Sequence, residues 1–182
     1  MDLLPQRQEF YEEWLHPDGL RDGSIGLAPL SAVIGFLRTD RHAYEDVMAR
    51  AGTLAAQWSV AALPPYQRRL GAALPAGMRA RFALRVAARV VKDVLSTSRA
   101  ASRVRRGHAT VRVQASVFCG VRERPAAPLC AFYRALVIEA LSAFEIPASA
   151  TIESCRAQGA AACVISVELA ARRPIAPTAK AA

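Results

Sequence analysis

The sequence predicts an α+β domain in which N-terminal helices pack on a small antiparallel sheet. Through residue 95, apolar side chains recur at helical spacing, whereas from residue 103 the apolar period changes to two on both sides of one further helix. The C-terminal half therefore has the order strand–strand–helix–strand–strand. Strands joined by short turns pair antiparallel, and helices then collect on one face of the sheet. With 182 residues, of which 53% are hydrophobic, the chain is long enough to bury a sizeable core.

The N-terminal elements are read from apolar spacing and from turn residues. Asp40 is placed to cap a helix, Pro29 suits the first turn of another, and Pro64 and Pro65 stop the helix before them. The helix from Met78 has the strongest pattern, with valines on one side and Arg81, Arg85, Arg89 and Lys92 on the other. Helices are expected over residues 6–15, 29–37, 43–61, 66–74 and 78–95.

The C-terminal elements follow from alternation and from breakers. Residues 111–117 alternate as a half-buried strand, residues 103–108 are assigned to the preceding strand and turn, and a helix is expected over 129–144. Two further strands flank Gly159. The predicted organisation is a helical region at 1–73, a core at 74–170 and a disordered tail at 171–182, forming one compact domain overall.

The net charge and the absence of targeting or membrane-spanning patterns limit the partners and the location that we expect. The net charge is +9, with 24 Lys and Arg against 15 Asp and Glu, which fits either a solvated arginine-rich surface or an anionic partner. No base-reading motif is recognised, so we expect no nucleic-acid partner. No secretory signal is visible, and no apolar stretch reaches about 18 residues. We therefore expect a cytoplasmic protein without a membrane span.

Three of the four cysteines frame the C-terminal helix and hairpin. Cys130 opens the helix, and Cys155 and Cys163 lie at equal distances from Gly159. In a symmetric hairpin these two thiols face each other, where they can share a metal, form a disulfide or simply pack. Free thiols or a metal site are favoured in a reducing compartment. Cys119 does not fit the pattern and is interpreted as a core or strand-end thiol.

The closing pattern resembles the 4-vinyl reductase-type domain, a family that includes hydrocarbon-binding proteins, the bacteriochlorophyll biosynthesis protein J group and phenol-sensor domains. The residues that resemble the family's pattern are the Pro-Leu-Cys segment at 128–130 with the helix after it, the segment from Cys155 to Gly159, and the apolar strand that begins at Cys163. It covers about residues 74–169. It implies a fold similar to that of the vesicle-tethering TRAPP subunits, and a homodimer is expected because those subunits commonly pair.

The resemblance also implies a structural zinc site. In the phenol sensors, three cysteines and one glutamate hold zinc beneath an apolar pocket, and the matching cysteines here are Cys130, Cys155 and Cys163. The family's glutamate falls on Ile152 in this chain. Glu153 shares a strand face with Cys155 and is the expected fourth ligand. A water or His108 could also complete the set.

The same resemblance implies an apolar aromatic or tetrapyrrole ligand. For a tetrapyrrole, it implies a role in bacteriochlorophyll biosynthesis. Arg85 and Arg89 are candidates to meet its carboxylates, since a guanidinium donates two hydrogen bonds to a carboxylate. Phe82 and Tyr133 are candidates to line its pocket. For Arg85 and Arg89 the competing interpretation is the wet basic face of an ordinary core helix, and for Phe82 and Tyr133 it is ordinary core packing.

Catalytic signatures are absent from the sequence. There is no glycine-rich phosphate loop, no G-x-S-x-G and no H-E-x-x-H, and no hydride-donor site is recognised, so enzymatic activity is left open. The leading hypothesis is a small-molecule-binding module that holds its ligand between the helical layer and the sheet. The alternative is a TRAPP-like dimeric protein-interaction subunit without small-molecule chemistry.

Overall fold

A computed structural model describes residues 28–94, 98–121 and 123–170. The predicted helix at 6–15 and the predicted tail at 171–182 lie outside these ranges. Within them the chain forms five α-helices and four strands, so the predicted α+β class is confirmed. The helices are α1 (Ala28–Leu37), α2 (Arg41–Ala61), α3 (Pro65–Ala73), α4 (Ala76–Val94) and α5 (Ala131–Ser142). The strands are β1 (Arg99–Arg105), β2 (His108–Gln114), β3 (Ala148–Ser154) and β4 (Cys163–Leu169).

The strands form one antiparallel sheet in the order β1-β2-β4-β3. On β2 the residues alternate between exposed and buried, with Val111 and Val113 facing the core. Ile165 and Val167 do the same on β4. The expected order strand–strand–helix–strand–strand is therefore present, and along the chain α5 lies between the β1–β2 pair and the β3–β4 pair.

Helices cover the buried face of the sheet. The helix α2 packs along α5, α5 contacts α4 and β3, and α4 contacts β1. One buried cluster runs from Ile34 in α1 and Met48 in α2 to Val167 in β4. This core spans both sides of the predicted division near residue 74; the division itself stays a prediction.

The helix α2 starts where the sequence places a cap. The Asp40 carboxylate accepts hydrogen bonds from the backbone N–H groups of His42 (2.9 Å) and Ala43 (3.1 Å), which satisfies two free donors of the first turn. Further along, a Cβ at Gly52 would collide with the carbonyl oxygen of Phe132, so α2 and α5 approach closely at this point. The missing side chain lets the two helix backbones come together.

One boundary differs from the prediction in a way that matters for the site. The alternation predicted to run to Val117 stops at Gln114, because Ala115 adopts a left-handed backbone (φ +52°). Residues Val117–Cys119 then form a 3₁₀ turn that carries Phe118 and Cys119 into the core. No helix in the described ranges has both the length and the apolarity needed to cross a bilayer.

Candidate metal centre and adjoining cleft

Four cysteine sulfurs meet at one point of the core. Cys119 comes from the 3₁₀ turn after β2, Cys130 precedes the first residue of α5, Cys155 follows β3, and Cys163 begins β4. The Cys119 sulfur lies 3.5 Å from Cys130, 3.6 Å from Cys155 and 3.5 Å from Cys163. Cys130 and Cys155 are 3.3 Å apart, and all four sulfurs lie within 4.8 Å of one another. We call this set the sulfur cluster.

Every member of the sulfur cluster is shielded from solvent. The residues are 7% (Cys119), 0% (Cys130), 1% (Cys155) and 0% (Cys163) exposed, and all four are free thiols. Sulfur separations above 3 Å are far longer than a disulfide bond of about 2.05 Å. The cluster is therefore a set of unbonded thiols enclosed by the core.

Hydrogen bonds hold the 3₁₀ turn that delivers Cys119. The Ser98 hydroxyl donates to the carbonyl oxygen of Ala115 (2.7 Å), and the Tyr133 hydroxyl donates to the Ser116 hydroxyl oxygen (3.0 Å). Arg38 donates from Nη2 to the carbonyl oxygen of Phe118 (2.7 Å). The turn is thus fixed from three directions, so the position of the Cys119 sulfur is determined by its surroundings.

Two backbone N–H groups donate to the sulfurs on the hairpin side. The N–H of Leu129 lies 3.4 Å from the Cys155 sulfur, and that of Arg156 lies 3.5 Å from the Cys163 sulfur. Donors to sulfur stabilise the thiolate, which is the form that binds metals. The backbone around the cluster is therefore arranged for ionised sulfur.

The pKa values of the four thiols move in opposite directions. Hydrogen bonds with Cys119, Cys130 and Cys163 hold the pKa of Cys155 far below the ordinary thiol value, and the hydrogen bond with Cys130 lowers the pKa of Cys119. Hydrogen bonds with Cys119 and Cys155 raise the pKa of Cys130, and those with the same two sulfurs raise the pKa of Cys163. The shared hydrogen bonds therefore shift the pKa values of Cys155 and Cys119 downwards and those of Cys130 and Cys163 upwards.

The geometry of the sulfur cluster fits a single tetrahedral metal ion. A zinc ion with four sulfur bonds of about 2.3 Å separates its ligands by about 3.8 Å. Four of the six separations here are 3.3 to 3.6 Å and all six are within 4.8 Å, so only slight adjustment is needed to admit an ion. Four thiolates in this arrangement are the donor set of a mononuclear zinc or iron site. The described cysteines can hold a metal ion, as the sequence predicted for three of them.

The structure does not bring the expected fourth ligand to the cluster. Glu153 is exposed on β3 and is not a member of the group. The prediction assumed that strand alternation continues from Glu153 to Cys155, but β3 is irregular between Ile152 and Ser154 and ends there. Glu153 lies at the irregular position itself and is exposed, whereas Cys155 is buried, so the two side chains do not share a face.

The alternative ligand His108 is also remote from the cluster. It begins β2 and pairs with Glu168, whereas Cys163 pairs with Val113 at the other end of the same ladder. Five residues of strand separate the two positions, or about 17 Å. The fourth sulfur belongs instead to Cys119, which the sequence interpretation set aside. The available signal was arithmetic: the chain has four cysteines, and a closed zinc site has four ligands.

A cleft of about 630 Å³ lies beside the sulfur cluster. Its volume is within the range of about 300–1,000 Å³ typical of small-molecule sites. The wall on the helix side is formed by Arg38, Arg41 and Tyr44, and the opposite wall by the loop from Gly120 to Leu129, including Glu123 and Arg124. We call it the loop cleft. It opens at the surface, so it does not lie between the helices and the sheet, where a ligand was expected.

Direct hydrogen bonds join the loop cleft to the sulfur cluster. Leu129 lines the cleft, donates its N–H to the Cys155 sulfur and accepts the Tyr44 hydroxyl at its carbonyl oxygen (3.0 Å). Burial raises the pKa of Tyr44 above its ordinary value, which keeps this hydroxyl a donor. A second link is the hydrogen bond from Arg38, which lines the cleft, to the carbonyl oxygen of Phe118, the residue before Cys119. Both walls of the cleft are thus tied to residues at the cluster.

The predicted ligand residues do not gather around one cavity. Tyr133 is buried next to Phe118 and Phe132, and its hydroxyl binds Ser116. Phe82 packs edge-on against Phe144 at 5.2 Å. Arg85 lines a separate groove, and Arg89 is exposed on α4. None of the four lines the loop cleft. Their role in ligand binding stays a prediction.

Comparisons with known proteins identify the fold. No family model matches the sequence, and no curated protein matches it. Among solved structures, the phenol-responsive sensory domain of the transcription activator PoxR with phenol is similar, at 15% identity and a TM-score of 0.52 over 77% of this chain and 72% of that one. A trafficking protein particle complex subunit 3 from Naegleria fowleri, covalently bound to palmitic acid, is similar at 13% identity and a TM-score of 0.52, over 78% and 93%. The chain therefore has a TRAPP-like α+β fold.

Proposed function

We propose that this protein is a zinc-stabilised module that binds an apolar small molecule bearing an anionic group. The observation that carries the proposal is the sulfur cluster and its hydrogen-bonded connection to the loop cleft. The metal would hold the cleft walls in place, and the cleft would hold the ligand.

Zinc is the proposed metal because the donor set is closed. Cys119, Cys130, Cys155 and Cys163 occupy all four tetrahedral positions and leave none for a substrate or a reactive water, which is the pattern of structural zinc sites. The ion would join the turn after β2, the start of α5 and both arms of the β3–β4 hairpin. Four reduced thiols around a metal suit a reducing compartment such as the cytoplasm.

The lining of the loop cleft indicates the chemical class of the ligand. Val121, Pro125 and Leu129 contribute apolar surface, whereas Arg38 and Arg41 bring positive charge to the same space. An aromatic carboxylate or a tetrapyrrole with propionate groups matches both features, since a guanidinium binds carboxylates through two hydrogen bonds. The phenol of one structural neighbour and the palmitic acid of the other are likewise apolar bodies with one polar group.

The motif resemblance supports a narrower proposal. The spacing of Cys130, Cys155, Gly159 and Cys163 resembles that of the 4-vinyl reductase-type domain, and on this ground we propose membership of that family and a tetrapyrrole ligand in bacteriochlorophyll biosynthesis. Gly159 has a structural reason to be glycine: it adopts φ +93°, and a Cβ there would lie 2.9 Å from Arg124 Nη2.

Elemental analysis of the purified protein tests the metal half of the proposal. About one zinc per chain is expected after reducing, chelator-free purification, and loss of zinc in Cys155→Ser. The absence of any stoichiometric metal in the wild-type protein would refute it.

Binding of a dicarboxylic porphyrin, followed by its Soret absorbance, tests the ligand half. Arg41→Gln in the loop cleft should weaken binding by about tenfold, as expected for one lost charge-assisted contact. Arg50→Gln, which makes the same charge change on α2 outside the cleft, is the matched control and should leave binding unchanged. Equal effects of the two substitutions would place the ligand elsewhere.

An alternative function is a dimeric protein-interaction subunit, and one observation favours it. Large apolar side chains are exposed on the first three described helices, including Phe36 (75% exposed), Trp58 (69%), Tyr66 (67%) and Leu70 (63%). Exposed apolar surface of this kind often marks an interface. Sedimentation analysis distinguishes the two functions, because an interaction subunit changes mass with its partner and takes up no porphyrin.

A further inference from the structure

The positive charge of this protein is concentrated in one part of the chain. Residues 76–116, which span α4, β1 and β2, contain ten Lys or Arg and one acidic residue, Asp93. This segment therefore carries +9, which equals the net charge of the whole chain, and the other residues balance to zero. A generally arginine-rich surface would distribute the excess, so this distribution needs a local explanation.

The structure brings part of this charge together in a groove between α4 and β1. Arg81 and Arg85 reach it from the helix, and Arg103 and Arg105 reach it from the strand. Its volume is about 370 Å³, Ser102 and Val104 complete its lining, and no acidic residue contributes. We call it the arginine groove.

Within the described part of the chain, the four guanidinium groups of the arginine groove have no partners of their own. None makes an ion pair or side-chain hydrogen bond with another described residue, and all four residues are exposed. For comparison, Arg134 pairs with Glu45, and Arg38 binds a backbone carbonyl. Four unpaired cations in one groove repel one another, and a bound anion relieves that repulsion.

The spacing of these charges follows the two elements that carry them. Arg103 and Arg105 are two residues apart on β1 and share a face, about 7 Å from each other along the strand. Arg81 and Arg85 are one helical turn apart on α4, about 6 Å along the axis. The exposed face of the sheet extends the positive surface through Arg99 and through Arg112, which pairs with Ala101 on the neighbouring strand. The result is two rows of cations along a groove, which suits an extended anion.

We propose that the arginine groove binds the phosphodiester backbone of a single-stranded nucleic acid. Guanidinium groups match phosphate geometry through paired hydrogen bonds, and a positively charged groove that follows the backbone is a common means of holding single strands. The groove lining contains no aromatic side chain on which a base could stack. The contacts are therefore to phosphate alone, which carries no sequence information, so the binding needs no base-reading motif.

The same observations favour nucleic acid over an anionic membrane. A protein that lies on a bilayer inserts apolar side chains beside its basic ones. Of the strongly exposed large apolar residues in the described chain, one, Met78, lies on an element that forms the groove; the others lie on α1, α2 and α3 and are Phe36, Val47, Trp58, Tyr66 and Leu70. The arginine groove is also concave, which suits a strand better than a flat surface.

Fluorescence anisotropy with a labelled single-stranded oligonucleotide of about 20 residues tests the proposal in the full chain. Four phosphate contacts predict a slope of log K against log salt near −3. The double substitution Arg103→Gln with Arg105→Gln should reduce that slope by about half and weaken binding by more than about tenfold at about 50 mM salt. If this variant is poorly folded, Arg81→Gln with Arg85→Gln on α4 provides the same test.

The matched control is Arg68→Gln with Arg69→Gln, which removes two exposed arginines of α3 outside the groove. It should change the affinity by less than about twofold, because only local phosphate contacts are counted in the slope. Equal losses in both double variants would overturn the proposal, since net charge would then explain the binding. Tighter binding to phosphatidylserine vesicles than to the oligonucleotide, or equal binding of inorganic tripolyphosphate, would also overturn it.

Discussion

Replacing Cys119 by serine should weaken zinc binding severely, although the sequence pattern assigns this residue no role. Its sulfur lies 3.5 to 3.6 Å from each of the other three, so it would supply one corner of the proposed tetrahedral site. Structural zinc contributes about 10–16 kcal/mol in small domains, or about 3 kcal/mol for each of four sulfurs. At about 1.4 kcal/mol per factor of ten, the loss of this ligand should weaken zinc binding about 100-fold.

Competition against a coloured zinc chelator measures this change directly. The matched variant is Glu153→Gln, which removes the ligand expected from sequence; its side chain is exposed and outside the sulfur cluster, so zinc affinity should stay the same. If Glu153→Gln released zinc as easily as Cys119→Ser, the deduced ligand set would be wrong. Retention of wild-type affinity by Cys119→Ser would refute it as well.

Three further results are expected. Gly52→Ala should lower the free energy of unfolding by about 1–2 kcal/mol, because the new methyl group collides with the Phe132 carbonyl and the gain in helix propensity offsets only about 1 kcal/mol; thermal unfolding measures this, and an unchanged or higher midpoint would contradict the close approach of α2 and α5. Gly159→Ala should cost about 1–2 kcal/mol because φ is +93°, and should also weaken zinc binding by disturbing the turn between two ligands; a zinc titration in which the variant matches the wild type would argue against that link. The pH dependence of the unfolding midpoint should differ with and without metal above about pH 8.5. Without metal, the lowered pKa values of Cys155 and Cys119 make stability rise with pH up to the ordinary thiol pKa of about 8.5, and the raised pKa values of Cys130 and Cys163 make it fall again above that value. With zinc bound, protons compete with the metal, so stability is lost only as the pH falls; parallel profiles above about pH 8.5 with and without zinc would contradict the assignment.

The order of elements could be predicted because it depends on local pattern. The exposed–buried alternation of Val111 and Val113 predicts a strand, and the apolar positions Leu136, Val137 and Ala140 predict the buried face of α5. Both are set by neighbours along the chain, so periodicity reveals them. The cap at Asp40 was predictable for the same reason.

The site was only partly predictable because it depends on where the pattern breaks. Cys130, Cys155 and Cys163 were found from their spacing, but Cys119 enters the cluster through a left-handed backbone at Ala115, which no residue preference announces. Glu153 was expected at the cluster because the strand was assumed to continue past a point where it is irregular. The loop cleft arises from contact between α2 and a loop some 80 residues later, and periodicity carries no information about such contacts.

The position of β4 in the sheet affects how this protein is made. It is the last of the four strands along the chain but lies between β2 and β3, and its first residue is the last of the four sulfurs. Until β4 has been synthesised, the β1–β2 pair and β3 have no strand between them, and the sulfur cluster lacks Cys163. Closure of the sheet and completion of the sulfur cluster therefore both depend on β4, so a chain interrupted before residue 163 would have neither.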